Sequence, residues 1–163
     1  MLPNDVLKQA AQVVALYKIK GRKLALAESC TGGLVAAAIT SVSGASDMFE
    51  RGFVTYANEA KSEEIGVPPA LLRAHGAVSE ECALAMAKGA RSKARADVGL
   101  SITGVAGPTG GSDKKPVGLV YIGMACPKGS GVKKFNFKGD RASIRHQAVA
   151  EALAWLLERE KKF

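Results

Sequence analysis

The sequence is poor in most of the features that mark a special environment. It holds three cysteines, Cys30, Cys82 and Cys126. They are far apart, odd in number and form no C-x-x-C, which argues against a disulfide scaffold or a structural zinc site and fits a reducing compartment. Aromatic residues make up only 6% of the chain, too few for a platform that stacks on bases. No run of about 18 apolar residues occurs, so no membrane-spanning helix is expected. The first twenty residues carry Asp5, Lys8 and Lys18 among their apolar neighbours, which leaves no apolar core for a signal peptide. A cytoplasmic location is therefore expected. Histidine is scarce, with only His75 and His146. No His, Cys, Asp or Glu group has metal-ligand spacing, so neither a metal nor a cofactor is expected.

What the chain does have is 18 glycines and a net charge of +8 in 163 residues. The length suits one domain, residues 1–163, large enough to bury roughly 70% of the surface of the unfolded chain. An apolar fraction of 47% and a charged fraction of 23% are those of an ordinary globular protein. The positive balance admits nucleic acid, an anionic membrane or a phosphorylated small molecule. The lysines are scattered, however, and no run of five basic residues appears. Solvated surface charge plus a local anion pocket explains this better than a polyanion surface. Nucleic-acid and membrane partners are not expected.

Periodicity divides the chain into alternating helices and strands. Residues 4–20 read as a helix with Val6, Leu7, Ala10, Val13, Val14 and Tyr17 on one stripe. Residues 23–28 read as a buried strand, then 29–33 as a tight turn and 34–42 as an apolar helix. A second strand is expected at 49–56 and a short helix at 59–65 with Asn58 as its N-cap. A helical turn at 69–74 and a helix at 80–93 opened by Ser79 follow. Residues 97–103 read as a third strand, and the glycine-rich 104–111 as a loop. A hairpin at 117–126 and 132–137, joined by 127–131, precedes a last helix at 141–159 capped by Asp140. Lys161 and Lys162 would complement that helix's dipole. The pattern predicts a three-layer α/β/α domain with a mixed, mostly parallel sheet.

Four segments could carry chemistry. In Glu28-Ser29-Cys30-Thr31-Gly32-Gly33, small polar residues follow a strand and glycines open a helix. Ligands bind at such carboxyl ends, and a helix start offers unpaired amides to an anion or oxyanion. Ser29 or Cys30 could act as nucleophile there, or Ser29 or Thr31 could merely cap the helix. Tyr56 lies at a strand end and Lys61 one turn into a helix. A lysine desolvated in such a place loses its proton more easily and can serve as a base, although a plain surface lysine is the alternative. Thr103 and Gly104 sit at a third strand end, where glycines permit close approach to a ligand. Arg141 and Arg145 share a helix face in the first turns, against the dipole. They would hold an anion or pair with a carboxylate.

These segments together resemble one family. AESCTGG (27–33), SGAS (43–46), ERGFVTYANEAK (50–61), HGAVSE (75–80), TGVAGPTGG (103–111), KPVG (115–118) and GDR (139–141) are similar to the CinA C-terminal domain family, in particular its stand-alone nicotinamide-nucleotide amidohydrolases. The resemblance implies a compact α/β/α domain, usually oligomeric, that hydrolyses the carboxamide of nicotinamide mononucleotide in pyridine-nucleotide salvage. It implies Ser29 as nucleophile and Tyr56 and Lys61 as proton-transfer partners. Cys30, Thr31, Gly32, Gly33, Thr103, Gly104, Arg141 and Arg145 would then surround the substrate, with Arg145 at its phosphate. Two other classes remain open. One is a nucleotide-binding accessory protein without turnover, linked to competence or DNA damage. The other is a direct nucleic-acid binder.

Overall fold

The computed structural model describes residues 1–162, with side chains through Lys161. The side chain of Lys162 and all of Phe163 lie outside the described residues, so the dipole role expected of Lys162 and the domain's expected end fall there too. In chain order the elements are α1 (Asn4–Lys20), β1 (Leu24–Glu28), α2 (Leu34–Thr40), a 3-10 turn (Ala45–Asp47), β2 (Phe49–Val54), α3 (Asn58–Ile65), α4 (Pro69–His75), α5 (Glu80–Ala94), β3 (Val98–Gly104), β4 (Leu119–Cys126), β5 (Gly129–Asn136) and α6 (Arg141–Lys162).

The strands form one five-stranded sheet in the order β2-β1-β3-β4-β5. Strands β2, β1 and β3 are mutually parallel. Strand β4 then runs antiparallel to both β3 and β5. The expected α/β class with a mixed sheet is thus what the chain adopts. Helices flank the sheet on both sides. The period-2 alternation of β1 sorts the core between them. Leu24 and Leu26 join the larger cluster under α1, α2 and α6, together with Val98, Leu100, Ile102, Val120 and Ile122. Ala25 and Ala27 face the opposite cluster, with Cys82, Met86 and Ala90 of α5 and Ile65 of α3.

The side chains under α5 are small, and this brings the helix close to the sheet. A methyl group on Gly99 of β3 would lie 2.2 Å from the Ala87 carbonyl oxygen, and one on Gly123 of β4 would lie 2.4 Å from that of Ala83. The Ser101 hydroxyl donates to the same Ala83 carbonyl at 2.5 Å.

Two local expectations need correction. The residue before α3 is Ala57, in extended conformation, and no side chain caps this helix. Asn58 is its first helical residue rather than its N-cap. The hairpin turn is also shorter than expected. Strand β5 begins at Gly129, paired with Cys126, because a sheet edge tolerates the glycines 129 and 131 that read as breakers. By contrast, Ser79 caps α5 by accepting the Cys82 amide at 3.1 Å, and Asp140 caps α6 by accepting the Ser143 amide at 2.8 Å. Among the described residues, no helix is long and apolar enough to cross a membrane.

Candidate active site

The site forms where connections leave the parallel strands toward opposite faces of the sheet. After β1 the chain turns into α2, on the side of α1 and α6. After β2 it enters α3, on the side of α5. Such divergence opens a crevice at the strand carboxyl ends. A cleft of about 360 Å³ lies there, and its walls include Ser29, Cys30, Tyr56, Lys61, Thr103, Gly104 and Arg141.

Lys61 is the residue that tertiary structure changes most. Its helix carries Glu59, Glu63 and Glu64, and by sequence it looks like a solvated lysine. In the fold it is only 1% exposed. Its Nζ donates to the Thr55 carbonyl at 2.8 Å, to the Tyr56 carbonyl at 3.0 Å and to Ser29 Oγ at 3.1 Å. Burial is the largest cause, and it lowers the Lys61 pKa from the ordinary lysine value. As a neutral amine it would keep two donors for the two carbonyls and turn its lone pair to Ser29. That geometry suits a base acting on the serine hydroxyl.

Strand alternation aims the neighbouring residues. The Ser29 amide still bonds the Ile102 carbonyl at 2.9 Å, so the β1 ladder persists for one residue beyond the strand. Glu28 then falls on the α2 side and Ser29 on the Lys61 side. Glu28 is 1% exposed. It accepts from Thr31 Oγ1 at 2.7 Å, the Val35 amide at 2.9 Å and the Ala36 amide at 3.0 Å. Neither Ser29 nor Thr31 caps α2. The N-cap position is Gly33 at φ 103°, which has no side chain to offer. Glu28 has no role among the residues expected in the site, although an acidic residue at a strand end just before a helix is a usable signal.

Cys30 is buried, and desolvation pushes its thiol up to about 11. At neutral pH it is a thiol rather than a thiolate, which weakens it as a nucleophile. Thr103 is also buried. Its hydroxyl donates to the Ala77 carbonyl at 2.8 Å, which ties β3 to the loop before α5. Tyr56 is 60% exposed. Its hydroxyl accepts from Arg141 Nη2 at 3.3 Å, while Arg141 Nη1 donates to the Gly107 carbonyl at 2.7 Å.

The two arginines part company. Arg141 lines the cleft, whereas the described walls do not include Arg145, Thr31, Gly32 or Gly33. Arg145 donates from Nε to the Cys30 carbonyl at 3.0 Å and from Nη2 to the Thr31 carbonyl at 3.1 Å. It braces the turn that carries Ser29. The histidines stand apart: His75 is exposed beside Glu81 at 3.5 Å, and His146 is half-buried on α6. A larger concavity of about 530 Å³ lies between α3 and α4, but its lining includes neither Ser29 nor Lys61. Among the described residues, no three His, Cys, Asp or Glu side chains cluster as metal ligands would.

Comparison with known proteins agrees with this architecture. The family model for the CinA C-terminal domain matches residues 6–159. The chain is 48% identical over 157 residues to the nicotinamide-nucleotide amidohydrolase PncC of Escherichia coli K12, covering 96% of this chain and 95% of that one. It is 54% identical over 147 residues to a CinA-like protein of Geobacter sulfurreducens, covering 90% of this chain. It spans only about a third of the length of such CinA-like proteins, 36% in that case and 32% for one from Syntrophobacter fumaroxidans. Among solved structures, the competence/damage inducible protein CihA of Agrobacterium tumefaciens superposes with a TM-score of 0.94 at 39% identity, covering 97% of each chain. The chain belongs to the CinA C-terminal domain family.

Proposed function

We propose that this protein hydrolyses the carboxamide of nicotinamide mononucleotide, giving nicotinate mononucleotide and ammonia. The observation that carries the reading is the buried Lys61 Nζ, 3.1 Å from Ser29 Oγ and held by two backbone carbonyls. Its substrate is supported by the 48% identity to PncC over nearly the whole of both chains. In this mechanism neutral Lys61 takes the Ser29 proton as Oγ attacks the amide carbon. Cys30 lies on the cleft wall, and its amide is the donor we assign to the developing oxyanion. The Gly32 amide is already bonded to the Ser29 carbonyl, and those of Val35 and Ala36 to Glu28.

The carbon–nitrogen bond then breaks, and the leaving nitrogen needs one proton. Lys61 holds that proton and gives it to the leaving nitrogen, with Tyr56, on the same cleft wall, as its proton-transfer partner. The Tyr56 oxygen accepts from Arg141, which leaves its own O–H free to donate. Water next attacks the acyl-enzyme and gives one proton to Lys61, which returns it to Ser29 Oγ as the ester bond breaks, releasing the acid and restoring the Ser29 hydroxyl and the neutral amine. Arg141, with the backbone of the 104–110 loop, meets the substrate's phosphate. Arg145 acts behind the turn.

An ammonia-release assay tests this, with nicotinamide mononucleotide, nicotinamide riboside and nicotinamide as substrates. Turnover of the mononucleotide that disappears in Ser29→Ala is the expected result. Binding without ammonia would instead support a nucleotide-binding accessory protein. We read residues 1–163 as one domain, supported by the single sheet and the 6–159 family match. Two further proposals rest on the family resemblance, a homo-oligomer and a cytoplasmic location. Light scattering and cell fractionation test them.

A further inference from the structure

We propose that Glu28 is a positioning residue for Ser29, clamping the nucleophile's turn by occupying the N-terminus of α2 in place of any ligand. This rests on the Ser29–Lys61 reading above. A carboxylate that is 1% exposed has lost its water, and such a group persists only where donors replace it. Glu28 has three donors. Oε1 accepts from Thr31 Oγ1 at 2.7 Å and from the Val35 amide at 2.9 Å, and Oε2 accepts from the Ala36 amide at 3.0 Å. Those two amides belong to the first turn of α2, the positions an N-cap side chain ordinarily satisfies.

Here the cap comes from upstream of the turn. The carboxylate reaches from the end of β1, across Ser29-Cys30-Thr31-Gly32, to the start of α2. It therefore ties both ends of the turn together. The main chain of Glu28 does the same for the other wall, since its carbonyl accepts the Thr55 amide at 3.0 Å, and the Thr55 carbonyl in turn holds Lys61. One residue thus touches both sides of the Ser29–Lys61 contact. It also removes the helix terminus that the residue pattern offered to a phosphate. The anion of the substrate is left to the part of the cleft where Arg141 lies.

Glu28→Gln tests the clamp. It keeps the shape but loses the charge, and its NH2 confronts a donor. Misplacing a reacting group by about 1 Å costs on the order of a hundredfold in rate, so kcat should fall by roughly tenfold to a hundredfold while KM stays within about threefold. Amide hydrogen exchange should quicken at Val35 and Ala36 and stay unchanged in β3. Unchanged kcat, or loss of protection throughout the sheet, would overturn the assignment. Should Glu28→Gln not fold, Thr31→Val removes one donor, and the same split in smaller degree is expected; unchanged kcat there also rejects the clamp. If the parent protein releases no ammonia, the hydrolase reading fails by itself. Exchange at Val35 and Ala36 then still decides the role of Glu28, and no change in Glu28→Gln or Thr31→Val rejects it.

Discussion

Lys61 donates three hydrogen bonds as an ammonium but only two as an amine, and the proposed chemistry depends on that difference. Two acceptors are fixed backbone carbonyls; the third is Ser29 Oγ. Losing a proton therefore costs the residue only the bond it would use in catalysis. Burial already favours that loss. The active form is the neutral one, so kcat/KM should rise with pH, along a limb whose midpoint lies below the ordinary lysine value of about 10.4. Lys61→Arg cannot lose its proton and should cost about 10²–10⁴-fold in kcat. A pH–rate profile and the variant's rate check both. Cys30 behaves oppositely. With its thiol up at about 11, it should resist iodoacetamide at pH 7, and Cys30→Ala should keep its turnover. Rapid alkylation with parallel loss of activity would restore Cys30 as the nucleophile.

Single elements owe their placement to a few contacts. Helix α5 lies close on β3 and β4 because Gly99 and Gly123 leave room for its carbonyls. Adding a methyl group at Gly123 forces the helix away, so Gly123→Ala should destabilise by about 1–3 kcal/mol. Asp140 holds the Ser143 amide at the start of α6, and Asp140→Ala should cost about 1 kcal/mol. In both cases the denaturation midpoint should fall while the slope is unchanged. These elements also show how far local pattern reaches. Helix α1 and the capped starts of α5 and α6 could be read directly, since apolar spacing and a capping Ser or Asp are local signals. Asn58 carries the same signal without serving as a cap, because Asn suits a cap wherever it stands and only the backbone decides whether it is used. Glu28 is harder to read, because its partners lie across a turn and are mostly backbone amides.

The net charge of +8 belongs to the whole molecule, and most of it is spread over the surface away from the cleft. Its proposed use is to draw in an anionic substrate, which predicts that kcat/KM falls as ionic strength rises. Arg141 is the cation on the cleft wall besides Lys61. Arg141→Ala should remove a charge-assisted bond of about 1.5–3 kcal/mol, raising KM for the mononucleotide by roughly tenfold to a hundredfold. KM for the riboside should barely change. A similar loss with both substrates would assign Arg141 to the Gly107 and Tyr56 contacts alone. The layered fold, the element order and the segments that meet at the strand ends are legible in the residue order alone, because periodicity, caps and glycine-rich turns are written in neighbouring residues. The partners of the site's side chains, and the burial that shifts Lys61, come from long-range packing. Burial and distance arise when β1, β2 and α3 pack together. That packing brings the Nζ of a lysine on an acidic helix to Ser29, takes Arg145 to the carbonyls of Cys30 and Thr31 and sends Glu28 to the amides of α2.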